Sequence, residues 1–184
     1  GDIGGLLGPL EIDAARYERD LIVTGAQRRE ARDLVTRARE THGALAAREQ
    51  AVRQVAVQAA ATCWPLPATP VPSLASLGPI PNTRAALEPY LTRLDSYAAA
   101  LAAAHRDLSA AIGEVSRTRD LLSALTAKAG SLGRAADPTL VAIAELARAQ
   151  FSPDGPTVLP VVNELLAAYS ARLDYLKTRP GSGA

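Results

Sequence analysis

Apolar side chains recur at spacings of three and four residues over much of the chain, and this spacing predicts long helices. The clearest run contains residues seven apart: Leu87, Leu94, Leu101, Leu108, Val115, Leu122 and Ala129. Companion positions are predicted at Leu91, Ala98, His105 and Ile112. Sustained heptads are typical of coiled-coil packing. We predict a helix over 83–131, capped by Asn82 or Thr83 and kinked or restarted at Pro89.

A second run with the same spacing occupies the first third of the chain. Its small or apolar members are Leu10, Ala14, Tyr17, Leu21, Thr24, Ala31, Leu34, Ala38, Leu45, Val52, Val55 and Ala59. Their intervals are three, four or sums of these, which is the signature of a coiled-coil seam. The pattern predicts a helix over residues 10–63.

A proline-rich segment separates the two long helices, and we call residues 64–82 the strap. Six prolines between Pro65 and Pro81 exclude a continuous helix there. The strap also carries Trp64, Leu66, Val71, Leu74, Leu77 and Ile80, more apolar side chains than a solvated linker normally holds. We therefore expect an ordered strap packed over the end of the helices.

Two shorter helices are predicted in the last third of the chain, over 138–151 and 157–177. Asp137 followed by Pro138 combines an N-cap carboxylate with a proline at the first helical position. A Ser-Pro-Asp-Gly turn over 152–155 separates the two helices. Pro160 is compatible with the second of them because it lies in the first turn.

These elements predict an all-α fold in a single helical domain, 1–184. The two long helices are expected to form an antiparallel coiled-coil hairpin. In that hairpin Leu45 faces Leu101 and Ala31 faces Val115, so that apolar residues meet along its length. The two shorter helices are expected to pack at the end that holds the N-terminus and residue 130.

Composition and charge exclude several functional classes. The formal net charge is +1, so no overall field draws the chain to nucleic acid or to an anionic membrane. The arginine-rich run over 28–39 is interrupted by acidic residues and lacks interleaved aromatic residues, which favours a solvated helix face. No apolar stretch is long enough to span a bilayer. We expect a segment of a larger protein, without membrane insertion of its own.

The residues that could carry chemistry are few. In the hairpin His42 and His105 would lie at one level, where they could form a metal site, a pH-sensitive contact or ordinary half-buried seam positions. Zinc needs three or four protein ligands, and only Glu40 and Glu49 lie near. Cys63 has no base in reach and is expected to be a packed thiol. We therefore predict no catalytic residues, no metal and no cofactor.

Two stretches resemble a known family. LIVTGAQRREARDLVTRARE and LGPIPNTRAALEPYLTRLDSYAAALAAA are similar to helical modules of actinobacterial membrane proteins. These proteins relay a signal from a glutamate-binding lipoprotein to the soluble Ser/Thr protein kinase G. The similarity covers residues 3–178 and the soluble helical portion. It implies a signalling adaptor whose partner is a protein, and it assigns no site residues.

We therefore expect a non-enzymatic module that binds another protein, such as a Ser/Thr kinase or a membrane sensor component. The predicted partner-binding residues belong to the strap: Trp64, Leu66, Leu74, Leu77 and Ile80. The alternatives are a self-assembling coiled-coil spacer and a ligand-binding or enzymatic bundle, for which Tyr17, Tyr169 and Asp174 are the candidates. The chain is expected to be a monomer or homodimer in the cytoplasm, tethered to the membrane through other parts of its parent protein.

Overall fold

The structure is a computed structural model that describes residues 4–179, without the side chains of 4–7, 9 and 10. It contains the helices α1 (Gly4–Thr62), α2 (Arg84–Ser131), α3 (Pro138–Ala149) and α4 (Leu159–Thr178), and two short strands, β1 (Cys63–Trp64) and β2 (Thr157–Val158). The long helices pack against each other, so the predicted all-α fold is confirmed. The helix ends agree with the prediction within two residues, except that α1 begins earlier. The side chain of Leu10 lies outside the described part.

The chain forms two compact units, and both long helices contribute to each. The first unit consists of the chain up to Arg48 together with Ser73–Ala99. The second consists of Glu49–Pro72 and the chain from Ala100 onward. We describe the units one at a time.

In the first unit, α2 begins beside the middle of α1. Arg84 Nη1 lies 2.7 Å from Glu30 Oε2. Apart from Gly25, every residue over 11–30 is exposed, whereas Ala38 and Leu45 further along α1 are buried. The buried α2 residues of this unit therefore pack on the part of α1 that follows Glu30. In this unit the two helices run in the same direction.

The second unit shows the same direction. Thr62, at the end of α1, lines one depression together with Val115 and Arg119 of α2. Beyond that point α2 packs on α3 and α4, because Leu122 and Ala129 belong to a core cluster that these two helices complete. The α1 residues that precede Thr62 therefore lie beside the α2 residues that precede Val115.

The predicted antiparallel direction, with its facing pairs, is therefore wrong, because the contacts require parallel helices in both units. Strand β1 directly follows α1 and pairs in parallel with β2, with Cys63 opposite Thr157 and Trp64 opposite Val158. The shorter helices thus pack beside residue 130, as predicted, but at the C-terminal end of α1 and not at its N-terminus. An apolar seam is compatible with either direction, so burial alone did not distinguish the two arrangements.

The buried seam of α2 contains all seven predicted heptad residues, from Leu87 to Ala129. The residues at its companion positions differ from the predicted ones. The buried companions are Tyr90, Tyr97, Ala104 and Thr118, which lie three residues after a heptad position. The predicted companions lie four residues after, and of these His105 is exposed while Leu91, Ala98 and Ile112 are half-buried. Both sets adjoin the heptad stripe, so only the position of the neighbouring elements selects one of them. The helix continues through Pro89 without restarting.

The strap packs along the helices and not over their ends. Thr69 Oγ1 donates a 2.5 Å hydrogen bond to Asp107 Oδ2, in the interior of α2. In the first unit Leu74 is buried within a short 3₁₀ turn, Leu74–Leu77. Asn82 lines a depression together with α1 residues such as Ala31 and Val35. The strap is ordered, as predicted, and it returns the chain to the start of α2.

An ion pair fixes α3 against α4 in the second unit. Asp137 caps α3, accepting a 3.1 Å bond from the Leu140 amide, as the sequence predicted. Its carboxylate also accepts bonds of 2.8 and 3.1 Å from the Arg172 guanidinium of α4. This bidentate hydrogen bonding is the main reason that the pKa of Asp137 is lowered.

Leu101→Asp tests the observed seam, because Leu101 is fully buried and an unpaired carboxylate in its place is strongly unfavourable. We expect a loss of about 3 kcal/mol or more in unfolding free energy, by analogy with large core truncations. His105→Asp is the matched control and should cost less than about 1 kcal/mol, because that position is exposed. Thermal unfolding followed by circular dichroism measures both. An equal loss of unfolding free energy in the two variants would show that His105 is buried in the seam, as the predicted companion positions require.

Asp137 variants test the cap and the ion pair separately. Asn retains the capping oxygen but not the charge, and Ala retains neither, so we expect melting temperatures in the order wild type, Asp137→Asn, Asp137→Ala. Because the folded pKa of Asp137 is lowered, its charge stabilises the fold fully above the unfolded carboxyl pKa of about 3.9. This contribution is lost as the pH falls through the lower folded pKa. The gap between wild type and Asp137→Asn should therefore close on acidification, and a constant gap from pH 7 to pH 2 would contradict the assignment.

Candidate partner-binding surface

The N-terminal section of α1, which we define as residues 11–30, is exposed and carries several large apolar side chains. Ala14, Tyr17, Leu21 and Thr24 recur at helical spacing and form one face, which we call the Tyr17 stripe. Tyr17 is 71% exposed and Leu21 is 61% exposed. Large apolar side chains at adjacent positions on one face of a helix are normally covered by another helix. In the first unit, nothing in the described part of the chain covers them.

Carboxylates flank the Tyr17 stripe on both sides. At about 100° per residue, Glu11 and Glu18 lie along one edge of the stripe, and Asp13 and Asp20 along the other. None of the four forms an ion pair with a residue that the structure describes. The backbone carbonyl of Asp20 accepts a 2.7 Å bond from Thr24 Oγ1, which satisfies that hydroxyl within the helix. The stripe is therefore an apolar surface with two negatively charged edges.

The opposite face of the same section is also apolar in part. Ile12 and Ile22 are each 67% exposed, and Val23 is 53% exposed. Ile12 lines a shallow depression of about 290 Å³ with Arg16, Arg19 and Asp20. This face therefore carries Arg16 and Arg19, which lie next to Asp20 at one edge of the Tyr17 stripe.

The predicted strap residues are distributed over both units and differ in exposure. Trp64 is 55% exposed and Leu66 is 46% exposed, and both belong to the second unit. Leu77 and Ile80 in the first unit are half-buried. Leu74 is only 5% exposed, and its side chain packs within the fold. Its role in partner binding stays a prediction. Trp64 and Leu66 stay available as predicted partner contacts.

The N-terminal section was not predicted as a surface, because the spacing of Tyr17 and Leu21 matches that of an intrachain seam. One signal was present in the printed sequence. Ile12, Ala15, Ile22 and Ala26 form a second apolar series on the face opposite the Tyr17 stripe. A helix with apolar residues on two opposite faces needs more neighbours than one antiparallel partner provides.

The residues considered for chemistry occupy separate environments. His42 is half-buried in the first unit, and His105 is exposed in the second. Cys63 is buried, its thiol donates to the Ala59 carbonyl, and burial raises its pKa, so the thiol is neutral. Tyr169 is buried in α4, where burial raises its pKa, and exposed Asp174 pairs with Lys177 at 2.9 Å.

Two further findings concern metals and membranes. Among the described side chains, no three His, Cys, Asp or Glu residues converge closely enough to hold a metal ion. No helix of residues 4–179 combines the length and the apolar character that crossing a bilayer requires.

Comparison with known proteins finds no match to the chain in any family model, curated protein or solved structure.

Replacing both Tyr17 and Leu21 with Ser tests whether the stripe is free in the isolated chain. We expect the unfolding free energy to change by no more than about 1 kcal/mol, because both side chains are exposed. Leu45→Ser is the control in the same helix and unit, and it should cost about 3 kcal/mol because Leu45 is buried. Thermal melts at low protein concentration measure both. A double variant as unstable as Leu45→Ser would show that the stripe is already covered within the chain.

Proposed function

We propose that this chain is a non-enzymatic protein–protein interaction module, and that the Tyr17 stripe receives a basic amphipathic helix of another protein. The observation that carries the proposal is the exposure of large apolar side chains, Tyr17 and Leu21 above all, along a section of α1 with two acidic edges. Helix-on-helix recognition of this kind uses apolar anchors one turn apart and charged residues at the edges.

Helix energetics support a partner on this section. Most of the stability of helices in proteins comes from packing an apolar face against a neighbour. Residues 11–30 obtain little such packing within the chain, since all but Gly25 are exposed. Burial of the Tyr17 and Leu21 side chains by a partner contributes about 1.5–3 kcal/mol each by apolar transfer. The section would therefore gain stability on binding.

Charge distinguishes a different protein from a second copy of this chain. In a parallel pair of copies the edge with Glu11 and Glu18 in one chain faces the edge with Asp13 and Asp20 in the other. In an antiparallel pair centred on the Tyr17 stripe, each acidic edge approaches the same edge of the other copy. Like charges across a helix pair are unfavourable, whereas lysine or arginine at the edges of the partner helix is favourable.

Self-assembly as a coiled-coil spacer is the second candidate function. It is favoured by the opposite face of the section, where Ile12, Ile22 and Val23 are also exposed. A helix with two apolar faces fits the interior of an assembly of three or more helices. A role as a signalling adaptor, with a Ser/Thr kinase or a membrane sensor component as partner, rests on the family resemblance and stays a proposal.

Binding of two synthetic helices tests the proposal. Both carry leucine at the seam positions, and one has lysine at the flanking positions where the other has glutamate. We expect the fluorescein-labelled lysine peptide to bind the full chain in an anisotropy titration. The glutamate peptide should bind at least about tenfold more weakly, which corresponds to the loss of one or two favourable charge pairs. Added salt should weaken the lysine complex.

Matched variants locate the binding surface. Tyr17→Ser with Leu21→Ser should abolish binding of the lysine peptide, whereas Ile12→Ser with Ile22→Ser should leave it unchanged. Equal binding by both double variants would refute the assignment of the Tyr17 stripe. Light scattering across a hundredfold concentration range decides the second candidate. If the wild type forms a dimer and the Tyr17 and Leu21 double variant does not, a second copy of this chain occupies the Tyr17 stripe.

A further inference from the structure

An open depression of the second unit, which we call the arginine cavity, contains two exposed arginines that the interaction surface does not use. It has a volume of about 190 Å³ and lies between α2 and the end of α3. Its lining residues are Arg119, Leu122, Ser123, Thr126, Arg148 and Phe151. All of them belong to the second unit, whereas the N-terminal section of α1 belongs to the first.

Neither arginine is neutralised within the described part of the chain. The structure places no carboxylate within ion-pair distance of the Arg119 or Arg148 guanidinium. By contrast, neighbouring Arg117 pairs with Glu114 at 2.6 Å. Arg119 is held in position by the Phe151 ring, whose centroid lies 5.1 Å from the guanidinium carbon. Two positive charges thus line one small cavity, and one of them is oriented by an aromatic ring.

The rest of the lining is partly apolar and partly hydroxylic. Leu122 is buried and Phe151 is half-buried, and together they supply the apolar surface of the cavity. Thr126 Oγ1 donates to backbone carbonyls of its own helix, and so does Ser123 Oγ. Their hydroxyl protons are therefore used within α2, which leaves the two arginines as the charged groups of the cavity. Adjoining depressions share Thr126 and Arg148 on one side and Arg119 and Phe151 on the other.

We infer that this cavity binds a small carboxylate with a flat apolar body, of the size of an aromatic acid. Guanidinium groups bind carboxylates through paired hydrogen bonds, and an apolar body can lie against Leu122 and Phe151. A cavity of about 150 Å³ already accommodates a benzene ring, so a single-ring acid fits this volume.

The lining favours a carboxylate over a phosphate. Phosphate sites commonly use the N-terminus of a helix, whose free amides and positive dipole bind the anion. The residues that line this cavity come instead from the interior of α2 and from Arg148 in the last turn of α3, where the helix dipole is negative. The negative end of α3 repels a phosphate dianion more strongly than it repels a carboxylate, which carries a single charge.

Titration of the full chain with sodium benzoate, followed by amide chemical shifts at constant ionic strength, tests the inference. We expect saturable shifts at Ser123, Thr126 and Phe151, and no saturable shifts with benzamide, which has the same shape without the charge. Arg119→Gln and Arg148→Gln should each weaken benzoate binding about tenfold or more, the typical loss of a hydrogen bond to a charged group. Arg117→Gln is the matched control and should bind as the wild type does.

Three results would overturn the inference. The first is the absence of saturable benzoate shifts at the cavity residues. The second is unchanged benzoate affinity in both Arg119→Gln and Arg148→Gln. The third is equal affinity for benzoate, acetate and inorganic phosphate, which would reduce the cavity to a contact for any small anion.

Discussion

The fold depends on the strap, because two consecutive helices can run in the same direction only if the chain between them returns along their sides. Prolines hold the strap out of a helix, and an extended chain covers about twice the length per residue of a helix, so a short segment suffices for the return. Thr69 holds the strap to Asp107 in the second unit, and buried Leu74 holds it in the first. The path of the strap therefore determines that α2 begins beside Glu30 of α1.

The start of α2 beside Glu30 has two consequences. The part of α1 that precedes Glu30 has no intrachain neighbour on its Tyr17 stripe, and it becomes the surface that we assign to a partner helix. At the other end of α2, Leu122 and Ala129 are available to α3 and α4, which build the core of the second unit. The arginine-lined cavity adjoins that core. Surfaces of different charge thus arise in different units: acidic edges in the first, unpaired arginines in the second.

Several features followed from local rules. Helix ends were predictable because capping residues, prolines and glycines act over one or two turns, as Asp137 does for α3. The heptad residues of α2, from Leu87 to Ala129, were predictable because burial of one stripe is a property of a single helix. The strap was identified as ordered because its apolar residues exceed what a solvated linker carries. The arginine cavity was not predicted, since Arg119 and Arg148 are far apart in sequence.

The sequence by itself thus determined the helical class, the helix ends other than the start of α1, the main buried stripe of α2 and the position of the strap. Only the tertiary structure decided the relative direction of α1 and α2, the companion seam residues and the exposure of Tyr17 and Leu21. The reason is that an Ala- and Leu-rich stripe can pack equally well in either direction, and adjacent apolar positions such as Tyr90 and Leu91 compete for the same seam. The path of the strap resolved these alternatives, through contacts such as Thr69 with Asp107 that no local pattern encodes.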